Sequence, residues 1–321
     1  MFHIRPFERT EMDYRAAADI QSATWSDCLN SLSMWKRADD LVDSRSLVQR
    51  LVAVEQGDIV GLAVLVEPEQ QTEPGKYDLS IIVRPEHQRQ GIGSAFYRHM
   101  LHNLNGRPLV KITSGTREDK QQGIRFLNRF GFNQVMRAPL CSLNVTKFNA
   151  ARFAGIWERM ARQGIQVLPL TRAALAYPDW QRRIWDLDWG LKQELPSPLP
   201  LVRLPFEKFQ RSVLGQADFK PAAWFVALDN NRWVGISRLM ELAGEPGKLY
   251  HGLTGVVPSH RRRGIATALK ISAIEYARQA GAEWIETENE ENNPMYALNM
   301  KLGFQPLPAW LHFEKEAPLA S

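Results

Sequence analysis

The sequence predicts an α/β protein built from the same unit twice. Three observations lead there. An order of strand, helix, hairpin, strand, glycine turn, helix, strand and helix runs from Phe2 to Val145 and starts again at Ile165. Matching features keep a near-constant offset. Gly91 and Gly264 are 173 residues apart, as are His87 and His260, while Gly131-Phe132 and Gly303-Phe304 are 172 apart. Each glycine turn also joins an apolar, β-branched run to a segment of good helix formers. A constant offset over such different features marks an internal duplication, and 321 residues suit about two domains.

In the first copy, Phe2 to Pro6 reads as a strand and Glu11 to Asp27 as a helix, with Ala17, Ile20 and Ala23 at helical spacing. A polar segment containing tryptophan follows to Arg45. Leu51 to Val66 reads as a hairpin around Gln56-Gly57-Asp58, and Tyr77 to Val83 as a strand. Arg84 to Gly93 is a turn, Ser94 to Leu104 a helix, Leu109 to Thr113 a strand, Asp119 to Arg129 a helix, and Pro139 to Val145 a last strand. In the second copy, Ile165 to Leu170 echoes the first strand, Phe225 to Glu241 the hairpin, and Leu253 to Val257 the strand before the turn. The boundaries expected are 1–148 for the first domain, 149–164 for a linking helix carrying Phe153, Ile156, Trp157 and Met160, and 165–321 for the second. Pro196 to Pro205, with four prolines, is a loop inside the second copy.

Hydrophobic content of 44% and charged content of 23% fit a folded protein with a core. A net charge of +5 suits a polyphosphate ligand, and no basic tail or long basic run points to nucleic acid. Cys28 and Cys141 form no CxxC pair and no cluster with metal spacing, so no metal is expected and the thiols read as those of a cytoplasmic protein. No stretch reaches the roughly 18 apolar residues of a membrane span.

The chemistry-bearing motif is Val256-Val257-Pro258-Ser259-His260 followed by Arg261-Arg262-Arg263-Gly264-Ile265-Ala266-Thr267. Its partner is Ile82-Val83-Arg84-Pro85-Glu86-His87 followed by Gln88-Arg89-Gln90-Gly91-Ile92-Gly93-Ser94. A glycine turn opening onto a helix cradles an anion, because the first-turn N–H groups lack intrahelical partners and the helix dipole is positive there. The pattern [Q/R]-x-x-G-x-[G/A], after a strand and before a helix and a late Gly-Phe, resembles the GCN5-related N-acetyltransferase (GNAT) superfamily, and it occurs twice in register. The second copy also resembles the mycothiol synthase-like group of tandem members, through Thr254, Val256, Pro258, Lys270, Asn292, Met295, Asn299 and Leu302-Gly303-Phe304.

That resemblance implies two tandem GNAT domains, each a mostly antiparallel central sheet with flanking helices and one splayed strand pair. It implies acetyl-CoA or another acyl-CoA as cofactor. The amides of Arg261 to Thr267 and of Gln88 to Ser94 would bind the CoA diphosphate. Val256-Val257 and Ile82-Val83 would pair with the pantetheine arm and present an amide to the thioester oxygen. Asn292 and Asn299 would contact the pantetheine or adenosine part.

Acyl transfer to an amine needs a base, because an alkylamine with pKa near 10 is mostly protonated at neutral pH. It also needs a donor for the developing oxyanion and an acid for the leaving thiolate. Glu241, at the end of the second hairpin, is the candidate base, and Glu67 holds its place in the first copy. Tyr250 and His251 rank second. Many members of the superfamily place an acidic tyrosine four residues before the late glycine, where this chain has Asn299 and Leu127; Tyr296, one helical turn earlier, is the candidate acid. The second copy keeps the asparagine-rich late motif and is the one expected to catalyse. The reading is a cytoplasmic, acyl-CoA-dependent N-acyltransferase, monomer or homodimer, acting on a small-molecule amine. Its alternative is a non-catalytic acyl-CoA-binding sensor or scaffold.

Overall fold

The computed structural model describes residues 1–25, 35–36, 39, 47–67, 74–195, 201–216, 219–242 and 245–317. Cys28, most of the polar segment before Arg45 and the start of the proline-rich loop lie outside these residues.

In chain order the strands are β1 His3–Pro6, β2 Val48–Glu55, β3 Asp58–Val66, β4 Lys76–Val83, β5 Lys111–Arg117, β6 Asn133–Ala138 and β7 Leu140–Asn144. They continue as β8 Ile165–Pro169, β9 Trp224–Asp229, β10 Arg232–Glu241, β11 Lys248–Val256, β12 Trp284–Glu288, β13 Gln305–Pro306 and β14 Trp310–Glu316. They form two mixed sheets of seven strands each, ordered β1-β2-β3-β4-β5-β14-β6 and β13-β7-β12-β11-β10-β9-β8. The expected α/β fold in two copies is present.

Each sheet begins as an antiparallel meander. In the first, β1 to β4 pair in sequence, with Gln56 at φ 53° and Gly57 at φ 93° making the tight β2–β3 turn. Two successive positive φ values match the right-handed twist of the strands, which is why glycine stands there. β3 reads DIVGLAVLV and is buried along most of its length, as a central strand covered on both faces must be. The fourth and fifth strands of each unit then part. β4 pairs in parallel with β5 only over Lys76–Asp78 against Lys111–Thr113, and β11 with β12 only over Lys248–Tyr250 against Trp284–Glu286. Beyond those rungs each unit has an open V.

The compact units do not follow the linear boundaries. One gathers residues 1–136 and the chain from Leu311 onward; the other gathers Arg137–Ser197 and Arg203–Trp310. Residues 137–148, expected in the first domain, belong to the second unit, and the C-terminal strand belongs to the first. The reason is an exchange of strands. β7 pairs antiparallel with β12, from Asn144 opposite Trp284 to Leu140 opposite Glu288, and β14 lies between β5 and β6. Cys141, Leu143 and Val145 are buried in the second core, while Leu311 and Phe313 are buried in the first.

Helices cover both faces of each sheet. The helix Glu11–Thr24 is capped by Thr10, whose Oγ1 accepts from the Asp13 amide at 3.2 Å. It buries Tyr14, Ala17 and Ile20 against Ile82 and Leu62. The helix Ile92–Asn103 puts Phe96, Tyr97 and Met100 on the other face, against Tyr77 and Leu79. In the second unit the helix Ile265–Gln279 buries Ile265, Ala268, Leu269, Ile271 and Ile274. Behind it lies a buried polar cluster. His251 Nε2 meets Ser237 Oγ at 2.5 Å and Thr254 Oγ1 at 3.0 Å, and Lys270 Nζ lies 3.4 Å from His251 Nδ1.

Candidate cofactor site

The two glycine turns have the same backbone. Gly91 has φ 88° and Gly264 φ 90°, and each is the N-cap of the helix that follows. Arg89 and Arg262 share the left-handed region at 65° and 63°. Left-handed backbone costs an L-residue energy that glycine escapes, which explains the fixed glycines. Neither N-cap makes a side-chain capping bond, so the amides of Ile92, Gly93 and Ser94, and of Ile265, Ala266 and Thr267, have no intrahelical partner. A side chain ties each turn to its strand: Gln88 Nε2 donates to Val83 O at 3.0 Å, and Arg261 Nε to Val256 O at 3.1 Å.

Their surroundings differ. Over the first turn lies a cavity of about 660 Å³, lined by the turn, by Ile81 and Val83 of β4, and by Arg98, Arg125 and Arg129. No carboxylate lines it. A Cβ added at Gly91 would meet open space. From Leu79 onward β4 no longer pairs with β5, and Ser114 Oγ donates back to Leu79 O at 2.7 Å. An extended ligand arm can therefore run along the open edge that contains Ile82 and Val83.

The second turn is flanked at Gly264 from within its own unit. The helix Ile156–Arg162, expected as a linker, packs on it. Ile156 Cδ1 and Arg159 Cζ lie 3.2 and 3.4 Å from where a Gly264 Cβ would stand. Arg159 Nη2 donates to Arg262 O, and Gln163 Nε2 to Arg263 O at 3.1 Å. Two of the three arginines of this turn have side-chain partners in the protein: Arg261 pairs with Glu194, and Arg263 with Gln163 and Asp229. The strand before it carries a β-bulge, since Ser237 pairs with Thr254 but Leu239 with His251. A bulge breaks the ladder and re-aims the local amides; β3 and β4 pair without one.

The remaining sequence candidates are dispersed. Glu241 is exposed at the end of β10 and ion-paired with Lys220, whose ammonium it holds above the usual lysine range. Glu67 Oε1 accepts from the Gly75 amide at 3.0 Å, closing a connection. Tyr296 is half-buried against the second core. Asn292 is exposed and donates to Glu290 at 2.7 Å. Asn299 is fully buried and donates to Asn289 at 2.7 Å, and its Oδ1 has no partner. His251 is buried and held well below the usual histidine range by desolvation and by Lys270, so it stays neutral. Cys141 is buried, and desolvation pushes its thiol up to about 11, which removes it as a nucleophile. Among the described residues no group of His, Cys, Asp or Glu is arranged to hold a metal ion, and no helix is long and apolar enough to cross a membrane.

Sequence reasoning passed over two features. Arg98, Arg125 and Arg129 face the first cavity, and their only sequence signal is helical spacing: Ser94 to Arg98 and Arg125 to Arg129 are each i, i+4. Asp78 stands on the last paired rung of β4 and β5, at the apex of the V. Side chains alternate along a strand. Tyr77 and Leu79 pack toward the helix Ile92–Asn103 and Ile82 toward the helix Glu11–Thr24, so Asp78 projects from the sheet face opposite Tyr77. Solvent reaches it. The surrounding protein nevertheless raises its carboxyl above the usual carboxylate range by desolvation, against the opposing pull of the Thr113 hydroxyl, 2.9 Å away, and of His312.

Two splayed sheets, each with a left-handed glycine turn feeding a helix, define a tandem protein of the acyl-CoA-handling class. The chain belongs to the acetyltransferase (GNAT) family, whose model matches residues 14–132 and again 184–304. Among solved structures it is similar over its whole length to a tandem GNAT protein from the clavulanic acid biosynthesis pathway, at TM-score 0.74 and 16% identity, covering 100% of both chains. It is also similar to a GCN5-related N-acetyltransferase from Sphaerobacter thermophilus, at TM-score 0.70 and 17% identity, covering 98% of this chain and 95% of that one. A glucosamine N-acetyltransferase region of a fungal multi-domain GH3 β-N-acetylglucosaminidase aligns at TM-score 0.72 and 14% identity, over 98% of this chain and 38% of that one. At these identities the structures speak for the fold. No curated protein matches the sequence.

Proposed function

We propose that this protein transfers an acyl group, acetyl first of all, from acyl-CoA directly to an amine of a small molecule, and that the first unit holds the cofactor. The observation that carries the proposal is the contrast between the turns: Gly91 faces an open cavity with Arg89, Arg98, Arg125 and Arg129 and no carboxylate, whereas Gly264 lies under Ile156 and Arg159. Sequence alone favours the second copy; open space and unspent positive charge favour the first.

Acyl-CoA would supply the acyl group already activated as a thioester. The amides of Gly93 and Ser94, with the helix dipole and Arg89, bind diphosphate without a bulky side chain in the way. The unpaired edge of β4 beyond Leu79 orients the arm that follows. From the last paired rung to Val83 is five residues, about 17 Å at the rise of a strand, a span comparable to an extended pantetheine arm. Asp78 accepts the proton that the acceptor ammonium must lose, from the sheet face opposite Tyr77. A carboxylate with a raised pKa is a stronger base than an ordinary one. Desolvation of Cys141 argues for direct transfer rather than a covalent enzyme intermediate. The covered second turn supports a division of labour in which the second unit binds no cofactor.

The test is a matched pair of variants of the intact protein, Ser94→Asp and Thr267→Asp, titrated calorimetrically with acetyl-CoA. Both residues are third in their helices, where an aspartate suits the dipole and leaves the helix intact. Ser94→Asp should weaken binding at least about tenfold by repelling diphosphate, and Thr267→Asp should leave it within about twofold. The opposite ranking would move the cofactor to the second unit, and no binding to either protein would end the reading.

A further inference from the structure

The first unit's cavity holds more positive charge than a diphosphate needs. Arg89 belongs to the turn itself. Arg98 rises from the same helix one turn above Ser94, and Arg125 and Arg129 face the cavity from the helix Gln121–Arg129. Among the described residues none of these three makes an ion pair; Arg129 has the ring of Phe130, 6.0 Å from its Cζ. Like charges at i, i+4, as in Arg125 and Arg129, destabilise a helix unless an anion lies between them. The second copy lacks the arrangement. At the same offsets it carries Ile271, Ala297 and Lys301, and Ile271 is buried.

We infer that Arg98, Arg125 and Arg129 form a second anion subsite that reads the 3′-phosphate on the ribose of the adenosine end, so that this protein distinguishes CoA from its 3′-dephospho form. The inference rests on the cofactor reading above and deepens it. Its geometry is that of the helix: four residues separate Ser94 from Arg98, about 6 Å along the axis. A nucleoside 3′-phosphate 5′-diphosphate carries its two anionic groups on one five-membered ring, so the second lies about a helical turn from the first. A phosphate monoester brings close to two negative charges at neutral pH, and guanidinium forks match its oxygens in pairs. These arginines are exposed at the cavity mouth, where they can close on a ligand without disturbing the core.

The experiment titrates the intact protein with CoA, 3′-dephospho-CoA, and adenosine 3′,5′-bisphosphate against adenosine 5′-phosphate. CoA should bind about tenfold or more tightly than dephospho-CoA, the size expected for hydrogen bonds between charged groups. Arg125→Ala/Arg129→Ala should bring CoA down to the level of dephospho-CoA and leave the latter unchanged; Arg98→Ala should give part of that loss. A preference shared by the free bisphosphate locates recognition in the nucleotide, as proposed. A preference found only with the full cofactor would place it elsewhere and overturn the assignment. Equal binding of CoA and dephospho-CoA to the native protein, still sensitive to Ser94→Asp, would overturn the 3′-phosphate subsite alone. Failure of every ligand to bind would overturn the cofactor reading beneath it.

Discussion

Arg159 donates from Nη2 to the backbone carbonyl of Arg262 at 3.2 Å, and this bond fastens the helix between the two sequence copies onto the second glycine turn. With Ile156 beside it, the space above Gly264 is occupied by protein. The expected stoichiometry is therefore one acetyl-CoA per chain, readable by native mass spectrometry or calorimetry. A value of two would show that the helix Ile156–Arg162 yields to ligand.

The same contact predicts a difference between two otherwise identical substitutions. Gly91→Ala and Gly264→Ala each force a left-handed residue, at a cost of about 1–2 kcal/mol. The second also crowds Ile156 and Arg159 at 3.2 to 3.4 Å. Denaturant unfolding should show Gly264→Ala as the more destabilising. Equal losses would mean that the covering helix moves aside freely.

Strand exchange predicts that the sequence cannot be cut where it repeats. Leu311 and Phe313 of β14 are buried in the first core. A fragment of residues 1–148 should fail to give a cooperative transition, and supplying residues 309–317 as an added segment should restore it. Phe313→Ala in the full chain should cost about 3–5 kcal/mol, as for other buried phenylalanines, in the unfolding of the first unit. An independently folding 1–148 would contradict the exchange.

Lys270 gives a pH dependence. It is buried beside His251 and Phe304, and desolvation lowers its ammonium from 10.5 to about 7, with Cys141 acting in the opposite direction. Between about 7 and 10.5 the unfolded chain binds more protons at this group than the folded one. Its contribution to stability therefore rises with pH through that window and is lost as pH falls toward 7. Cys141, raised from 9.0 to about 11, acts oppositely at higher pH, so the comparison belongs between pH 7 and 8.5. Urea midpoints for the second unit should climb over that range in the native protein and climb less in Lys270→Met. Parallel curves would show Lys270 charged in the fold.

Much of the fold was legible because it is written in local chemistry. Gly91 and Gly264 stand where backbone at φ near 90° admits little else, and Leu51 to Val66 and Phe225 to Glu241 read as hairpins because apolar runs flank a short polar turn. The destination of the terminal strands was not legible. Leu140–Asn144 and Trp310–Glu316 are both short strands with apolar residues at the end of a copy. Their sequences carry no mark of which sheet edge they complete, since ladder bonds are made by backbone common to all residues.

The candidate site divides the same way. The sequence by itself determined that the chain has two glycine turns, each between a strand and a helix, because glycine conformation and helix polarity are local properties. Only the tertiary structure decided what stands around each turn. That depends on Ile156 and Arg159, more than a hundred residues before Gly264, packing over one turn, and on Arg98, Arg125 and Arg129 from two helices converging over the other. Such contacts are set by how elements pack, which spacing along the chain does not encode.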